Sequence, residues 1–550
     1  MHLIKAFASG PSQESNRRII KITDYVIQFS LVMYALFAPH GIAISEGAFL
    51  LGAAAWGIQL LIQRPVRAPH TPVDIALFGF FACCTVSSFL SYRPIGSLDG
   101  LRSPAFFLAF YFVAGRIRSL RAARFLALAI VGSCLFNVAY SAGRLAVGRG
   151  IRIDAFNQDS PLLGYDLIVG DVILQADDQK VDSPQDLSRV VDSSRGRIHL
   201  SYQRTEEIRE IEVSRQAIKE SAGTGPGRLG IVGSRGRNFR IMGFYSHYET
   251  YAEVLQLIAS LAIGMLLAAG WKDSRRLAIF LAAAAILLGW ALLMTSTRSV
   301  MFALAVSAVV MSVASMNKRI MMAVAVLVLI GAPIAVLKVQ RSRGISFLDR
   351  NEGSTFYRLE VWREALGLIK NNPITGIGKG SEGQMKKELG LFDHGKLPPG
   401  HFHSTPIQIA TWWGLPALGC YLAFMTILLY EIWTLARQCR INGDNASWGV
   451  ALGVLGAVVG FNVSSLVQFN FGDGEVVMTF WLLSGMAFSV RRIMAEAAAR
   501  SAGASALSDG PLEAPRPALP GSDRSDKSPL QTPKEISEPT GQAVTVKRRL

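Results

Sequence analysis

The chain has 550 residues, half of them hydrophobic and 17% charged, with a positive mean hydropathy; this excludes an ordinary soluble domain and indicates a polytopic membrane protein. Its net charge of +16 raises nucleic acid as a partner, but much of that charge flanks apolar runs, where Lys and Arg normally set topology, so no nucleic acid is expected. The five cysteines (Cys83, Cys84, Cys134, Cys420, Cys439) form neither a disulfide framework nor a metal-ligand spacing, and no metal or cofactor is expected.

Runs of about 18 to 22 mostly apolar residues can each cross a roughly 30 Å hydrocarbon core. They predict about twelve spans, near 22–40, 42–62, 73–91, 99–115, 125–142, 248–270, 277–296, 299–316, 320–338, 404–434, 446–467 and 475–490. No compact signal peptide precedes the first, which is expected to be retained. Alternate connections are basic: Arg64 and Arg67; Arg116, Arg118, Arg121 and Arg124; Lys272, Arg275 and Arg276; Lys318 and Arg319; Arg437 and Arg440; Arg491 and Arg492. These turns place both termini in the cytoplasm and leave two large segments outside, about 143–247 and 339–404. The expected fold is mainly α and polytopic, with a small α/β domain inserted in an outer loop. Its parts are membrane spans at 1–142, the insertion at 148–218, a second membrane domain at 240–492 and a tail at 493–550.

Within the insertion, Gly170-Asp171-Val172-Ile173-Leu174 reads as a strand entered from a turn. Ser183 and Pro184 then open a short helix as its N-cap and first residue. Residues 198–202 and 208–213 alternate like paired strands. This run resembles a bacterial PDZ domain, a module that captures extended peptides on a sheet edge. The Gly-Leu-Gly-Phe-like carboxylate loop of such domains is not evident, so a packing or docking role stands beside peptide capture from a protein partner. From about Ala495 the tail is rich in Pro, Ser, Ala and charge and is expected to be disordered. Its final Lys547-Arg548-Arg549 suits either solvent or anionic lipid.

The outer loop 339–404 concentrates the candidate chemistry. Ser354 or Thr355 caps a helix of about 16 residues whose Leu359, Trp362, Leu366 and Ile369 recur at helical spacing, and Asn371-Asn372-Pro373 ends it. Arg358 falls in its first turn, where a cation opposes the helix dipole by about 0.3–1 kcal/mol until an anion docks. Phosphate binding and plain interfacial anchoring both fit. Gly376-Ile377-Gly378-Lys379-Gly380 either offers backbone N–H groups to an anion or forms a flexible turn. His403 precedes Ser404, Thr405 and Pro406, which can open the next span. The positive helix end disfavours imidazolium, so a neutral His403 is expected, either a general base or a structural residue. His401, His394 and Asp393 lie nearby without a zinc spacing. In Thr295-Ser296-Thr297-Arg298-Ser299, an Arg in so short a turn between spans is costly unless it is paired or faces a polar cavity, which favours a functional role. Arg240, with His247 and Glu249, lies just outside the sixth span, and interface anchoring also accounts for that group.

Three blocks together resemble the O-antigen ligase and polysaccharide polymerase superfamily of membrane glycosyltransferases. Thr295-Ser296-Thr297-Arg298 resembles the family's Ser-Arg turn. Arg358, Trp362 and the run from Asn372-Pro373 to Gly376-Ile377-Gly378 resemble its outer-loop helix and following turn. His403, Gln408 and Gly414-Leu415-Pro416 resemble its His-Asn motif and next span. The motifs occupy about 290–420, and the order of spans extends the likeness over most of 20–490. Ser404 stands where the family usually has Asn, and the insertion replaces a short connection. The resemblance implies a metal-independent transfer of a glycan from undecaprenyl pyrophosphate, on the periplasmic face of a bacterial inner membrane. The acceptor is a lipid A-core hydroxyl in a ligase, another repeat unit in a polymerase, or a protein in an O-glycosylating enzyme. The ligase is placed first. It implies that Arg298 and Arg358 hold the pyrophosphate, that His403 activates the acceptor hydroxyl, and that Arg240, Gly376 and Gly378 join in substrate binding. A polysaccharide or lipid transporter is the competing class. It would show helical repeats or several intramembrane carboxylates, whereas Glu46 is the one clear case. A zinc protease would need His-Glu-x-x-His, which the sequence lacks.

Overall fold

The computed structural model describes residues 13–62, 70–193, 196–204, 207–221, 224–237, 239–269, 274–343, 353–382, 388, 390–396 and 400–508. Arg64, Arg67, Lys272 and the Lys547-Arg548-Arg549 end lie outside the described residues. Among those described, nine helices are long and apolar enough to cross a membrane, from Gln13–Phe37 to Gly474–Ser508. Two shorter apolar helices, Asp74–Phe89 and Arg298–Ala314, lie between them. The protein is mainly α and multi-pass.

The span expected at 99–115 is not one helix. The stretch is divided into Pro94–Asp99, opened by Pro94 and capped by Gly100, then Arg102–Ala105 and Leu108–Arg116. Arg102 in this broken stretch pairs with Glu46 at 2.6 Å, so that carboxylate is neutralised locally. Nor is Glu46 the sole carboxylate within a long apolar helix: Glu253 lies in Tyr248–Ala268, and Glu431 in Thr405–Ile441 pairs with Arg491.

At the centre, Tyr248–Ala268 packs against Asn445–Ser465. Both are buried along most of their length, which suits their apolar character all round. Small residues allow the approach: a side chain at Gly264 would meet the backbone of Gly453, and one at Gly453 would meet the backbone of Leu261. Lys318–Arg343 lies outermost, with Leu327 and Leu329 exposed. Arg492 donates to the Ala114 and Ile117 carbonyls, and Arg118 pairs with Asp24, so the turns bearing these arginines share one end of the bundle.

The insertion has its own core and a six-stranded antiparallel sheet ordered β5-β4-β2-β1-β6, with β3 paired to β2. The strands are β1 (Arg149–Phe156), β2 (Val172–Ala176), β3 (Gln179–Lys180), β4 (Arg197–Arg204), β5 (Glu207–Ser214) and β6 (Ile231–Gly236). The pair expected from alternation is present, with Leu200 opposite Ile211. Pro184–Ser193 begins where expected, with Ser183 Oγ accepting from the Asp186 amide at 3.2 Å. Buried Asp171 accepts from the Ile168 amide at 2.9 Å and from Arg204 at 2.9 Å, which anchors the Gly170 turn to β4. β6, which pairs with β1, extends the domain beyond the expected 148–218.

Residues 495–508, expected to begin a disordered tail, are helical. Gly474–Ser508 continues through an Ala-rich run, the residue type of highest helix propensity. Two units divide at Glu496, and of the second, Ala497–Leu550, only 497–508 is described.

Candidate active site

His403 is held from several directions. Its backbone lies in the left-handed region at φ 46°, a conformation costing a non-glycine residue about 1 kcal/mol or more unless neighbours enforce it. They do. Trp362 Nε1 donates to the Phe402 carbonyl at 2.7 Å, and the Phe402 amide donates to Gln408 Oε1 at 2.7 Å. The His403 amide donates to His401 Nδ1 at 3.1 Å. Thr405, which opens the next helix after Ser404, donates through its amide to the Gln468 carbonyl at 3.0 Å and through Oγ1 to Asn470 Oδ1 at 3.0 Å. The His403 ring stands edge-on to Tyr357 at 5.6 Å and 4.1 Å from the His401 ring. Burial first, then the neighbouring His401, Arg358 and His247, push its pKa down to about 3, so it is a neutral imidazole at physiological pH. Its Nδ1 is buried and has no hydrogen-bond partner among the described residues.

Arg298 begins Arg298–Ala314 directly after a buried Thr295-Ser296-Thr297 turn, with Ser296 left-handed at φ 53°. Two bonds tie this turn to its neighbours. The Ile241 amide donates to the Met294 carbonyl at 3.4 Å, which brings the Arg240 segment alongside. Gln468 Nε2 donates to Ser299 Oγ at 3.3 Å, which joins the turn to the connection that also holds Thr405. Arg240 itself is buried, its guanidinium 4.1 Å from the centre of the Tyr248 ring.

Arg358 lies in Gly353–Asn371, with Nη2 3.9 Å from Glu249 Oε1. One expectation about this helix changes. Described from Gly353, it places Arg358 in the second turn, past the terminal turn where the dipole acts most strongly. Its buried face is Val361, Ala365 and Leu368, whereas Leu359 and Leu366 are exposed. Of the residues at helical spacing, Trp362 packs beside that inward face; this helix is apolar on two sides.

Of the two readings open for Gly376 and Gly378, an anion nest or a turn, their backbone bonds fit the turn. Thr405–Ile441 is broken at Gly414, which has φ 83°. Pro416 lacks an N–H, so the Trp412 carbonyl loses its usual helical donor and accepts from the Gly378 amide at 2.9 Å instead. The Ile377 amide takes the Thr411 carbonyl at 2.9 Å, and the Leu415 amide donates to the Pro373 carbonyl at 2.7 Å. The Gly376 amide is bonded to the Asn372 carbonyl at 3.0 Å. Both glycines therefore lock the loop to the broken helix, and their amides are occupied.

The loop and the helix ends enclose a polar cavity of about 260 Å³. His401 and His403 form one wall. The start of Tyr248–Ala268 contributes His247, Glu249, Thr250 and Glu253, and the 468–473 connection contributes Gln468, Phe469 and Asp473. Asp473 is fixed twice, accepting from Thr250 Oγ1 at 2.5 Å and from the Glu475 amide at 3.2 Å. Sequence reasoning noted His247 and Glu249 only as companions of Arg240, and it missed Thr250, Glu253, Gln468, Phe469 and Asp473. Polar Gln468, Asn470 and Asp473 between two buried helices were the available signal.

Residues 283–422 match the family model described as O-Antigen ligase. The matched segment contains Arg298, Arg358, Gly376, Gly378 and His403, while Arg240 and the 468–473 wall lie outside it. No curated protein matches the chain.

Proposed function

We propose that this chain, whose residues 283–422 belong with the O-antigen ligases and polymerases, is a membrane glycosyltransferase of the ligase type. In this reading it moves a glycan from undecaprenyl pyrophosphate to a hydroxyl of lipid A-core, on the periplasmic face of the inner membrane. The alternating basic turns support that orientation, with both termini cytoplasmic. The observation that carries the reading is the convergence of a neutral His403, the paired Arg358 and the Arg298 turn from three separate elements beside one polar cavity.

The acceptor oxygen attacks the anomeric carbon of the donor while the carbon–oxygen bond to pyrophosphate breaks. His403 takes the hydroxyl proton, and the lipid pyrophosphate leaves with the bonding electrons. Arg298 and Arg358 hold that leaving group, stabilising the charge it gains. Glu249 keeps Arg358 oriented until the donor's stronger negative charge draws the guanidinium away. Arg240, stacked on Tyr248, supports the Arg298 turn, and Gly376 and Gly378 fix the loop rather than touch substrate. The two guanidiniums make a metal ion unnecessary, so transfer by purified protein should be unchanged by a chelator. The insertion is assigned to docking a protein partner.

The test uses Arg298→Ala, Arg358→Ala and His403→Ala in a deletion strain, following surface polysaccharide and lipid-linked intermediates. Full-length lipid-linked polymer accumulating without attachment supports a ligase, while accumulated single repeat units would make the protein a polymerase. Wild-type glycan from all three well-expressed variants would refute the site.

A further inference from the structure

We propose that the cavity beside His403 is the subsite for the terminal sugar of the acceptor, and that Glu253, Glu249 and Phe469 select a hydroxyl-rich sugar bearing no acidic group. This rests on the glycosyl-transfer reading above and adds to it the chemistry of the acceptor.

The cavity wall carries carboxylates and neutral polar groups, whereas Arg240, Arg298 and Arg358 are not among its lining residues. A pyrophosphate would be repelled there, so the donor's charged end belongs on the arginine side and the acceptor in the cavity. Glu253 is 5% exposed, and its Oε1 has no hydrogen-bond partner among the described residues. A buried carboxylate oxygen left unsatisfied is costly, and a sugar hydroxyl is the donor that a polar cavity of this size would admit. Glu249 Oε1 sits 3.9 Å from Arg358, beyond hydrogen-bond reach, and is available as a second acceptor. Phe469, packed edge-on to Trp412 at 5.1 Å, adds an apolar wall suited to the C–H face of a pyranose. A uronic acid or phosphorylated sugar would set its charge against Glu249 and Asp473, which also line the cavity, and be rejected.

The test is saturation-transfer NMR on full-length protein in detergent, with methyl α-glucoside and methyl α-glucuronide as probes. Wild-type protein should bind the glucoside and not the glucuronide. Glu253→Leu, which removes the hydrogen-bonding group at similar size, should weaken glucoside binding on the order of tenfold without admitting the glucuronide. Glu249→Gln, at a partly buried position, should admit the glucuronide and guards against a folding defect in the first variant. Equal binding of both probes, binding of neither, or an unchanged preference in Glu249→Gln would overturn the proposal. Transfer without any glucoside preference removes the subsite and leaves the activity standing. A glucoside preference in a protein that transfers no glycan removes the activity and leaves a sugar site.

Discussion

At the scale of single residues, His403 was legible as a neutral imidazole, although the helix terminus that suggested it is not the main cause. Burial dominates, followed by His401, Arg358 and His247, which only the folded chain brings near. The sign of the consequence is definite. A folded pKa of about 3 lies below the unfolded value of about 6.5, so between those limits the unfolded chain binds a proton that the folded chain does not. This group's contribution to stability therefore rises with pH through that window. The ratio kcat/KM for the donor, which reports the free enzyme, should show no acid limb near pH 6.5. The limb in kcat should lie higher than the one in kcat/KM, because bound pyrophosphate brings negative charge to the imidazole. A limb at pH 6.5 in kcat/KM that disappeared in His403→Gln would contradict the burial seen here. His403→Ala should slow transfer by about 10²–10⁴-fold. Glu253 and Gln468 were not legible, since a single polar residue in an apolar helix or connection does not announce what it faces.

At the scale of elements, the Gly376–Gly378 loop shows why a motif can be located in the sequence while its use stays open. Positive φ at both glycines was in keeping with an anion nest. What decides their role is Pro416, about forty residues away in sequence, whose missing N–H leaves the Trp412 carbonyl to be satisfied by Gly378. A side chain at Gly376 would meet the Trp412 carbonyl, and its φ of 64° adds strain. Gly376→Ala should therefore destabilise the protein by about 1–3 kcal/mol. Gly380→Ala, also at positive φ but in open space, should cost less. Thermal unfolding of the two variants in one detergent gives the comparison, and an equal loss would remove the close approach as the cause. Helix existence was likewise clearer than helix face: Val361, Ala365 and Leu368 point inward because they meet Ile377 and Phe402, contacts that local spacing does not encode.

At the scale of the whole molecule, hydropathy recovered most helices and the alternation of strands revealed the insertion, but the insertion's limits were drawn too tightly. β6 is short and holds two glycines and a serine, so it reads as linker; its pairing with β1 makes it a strand and brings the two chain connections together. Arg149 lies opposite Gly236 in that pair, and directly opposed strand residues are about 5 Å apart, a gap that two residues span. Residues 149–236 can thus be replaced by a Gly-Ser link without pulling on the helices at either side. The insertion's core, built around Ile153, Ile173, Tyr202 and Val213, is separate from the membrane core, so its removal leaves no cavity there. The shortened protein should insert in the membrane and keep transfer within about threefold of wild type, as expected for removal of a module whose core is separate from that of the helices. Its set of cross-linked partners or its acceptor choice should change instead. Loss of transfer from a correctly inserted deletion protein would show that the stalk reaches the site, through Phe239, which carries Arg149 over its ring at 4.5 Å, and the adjoining Arg240.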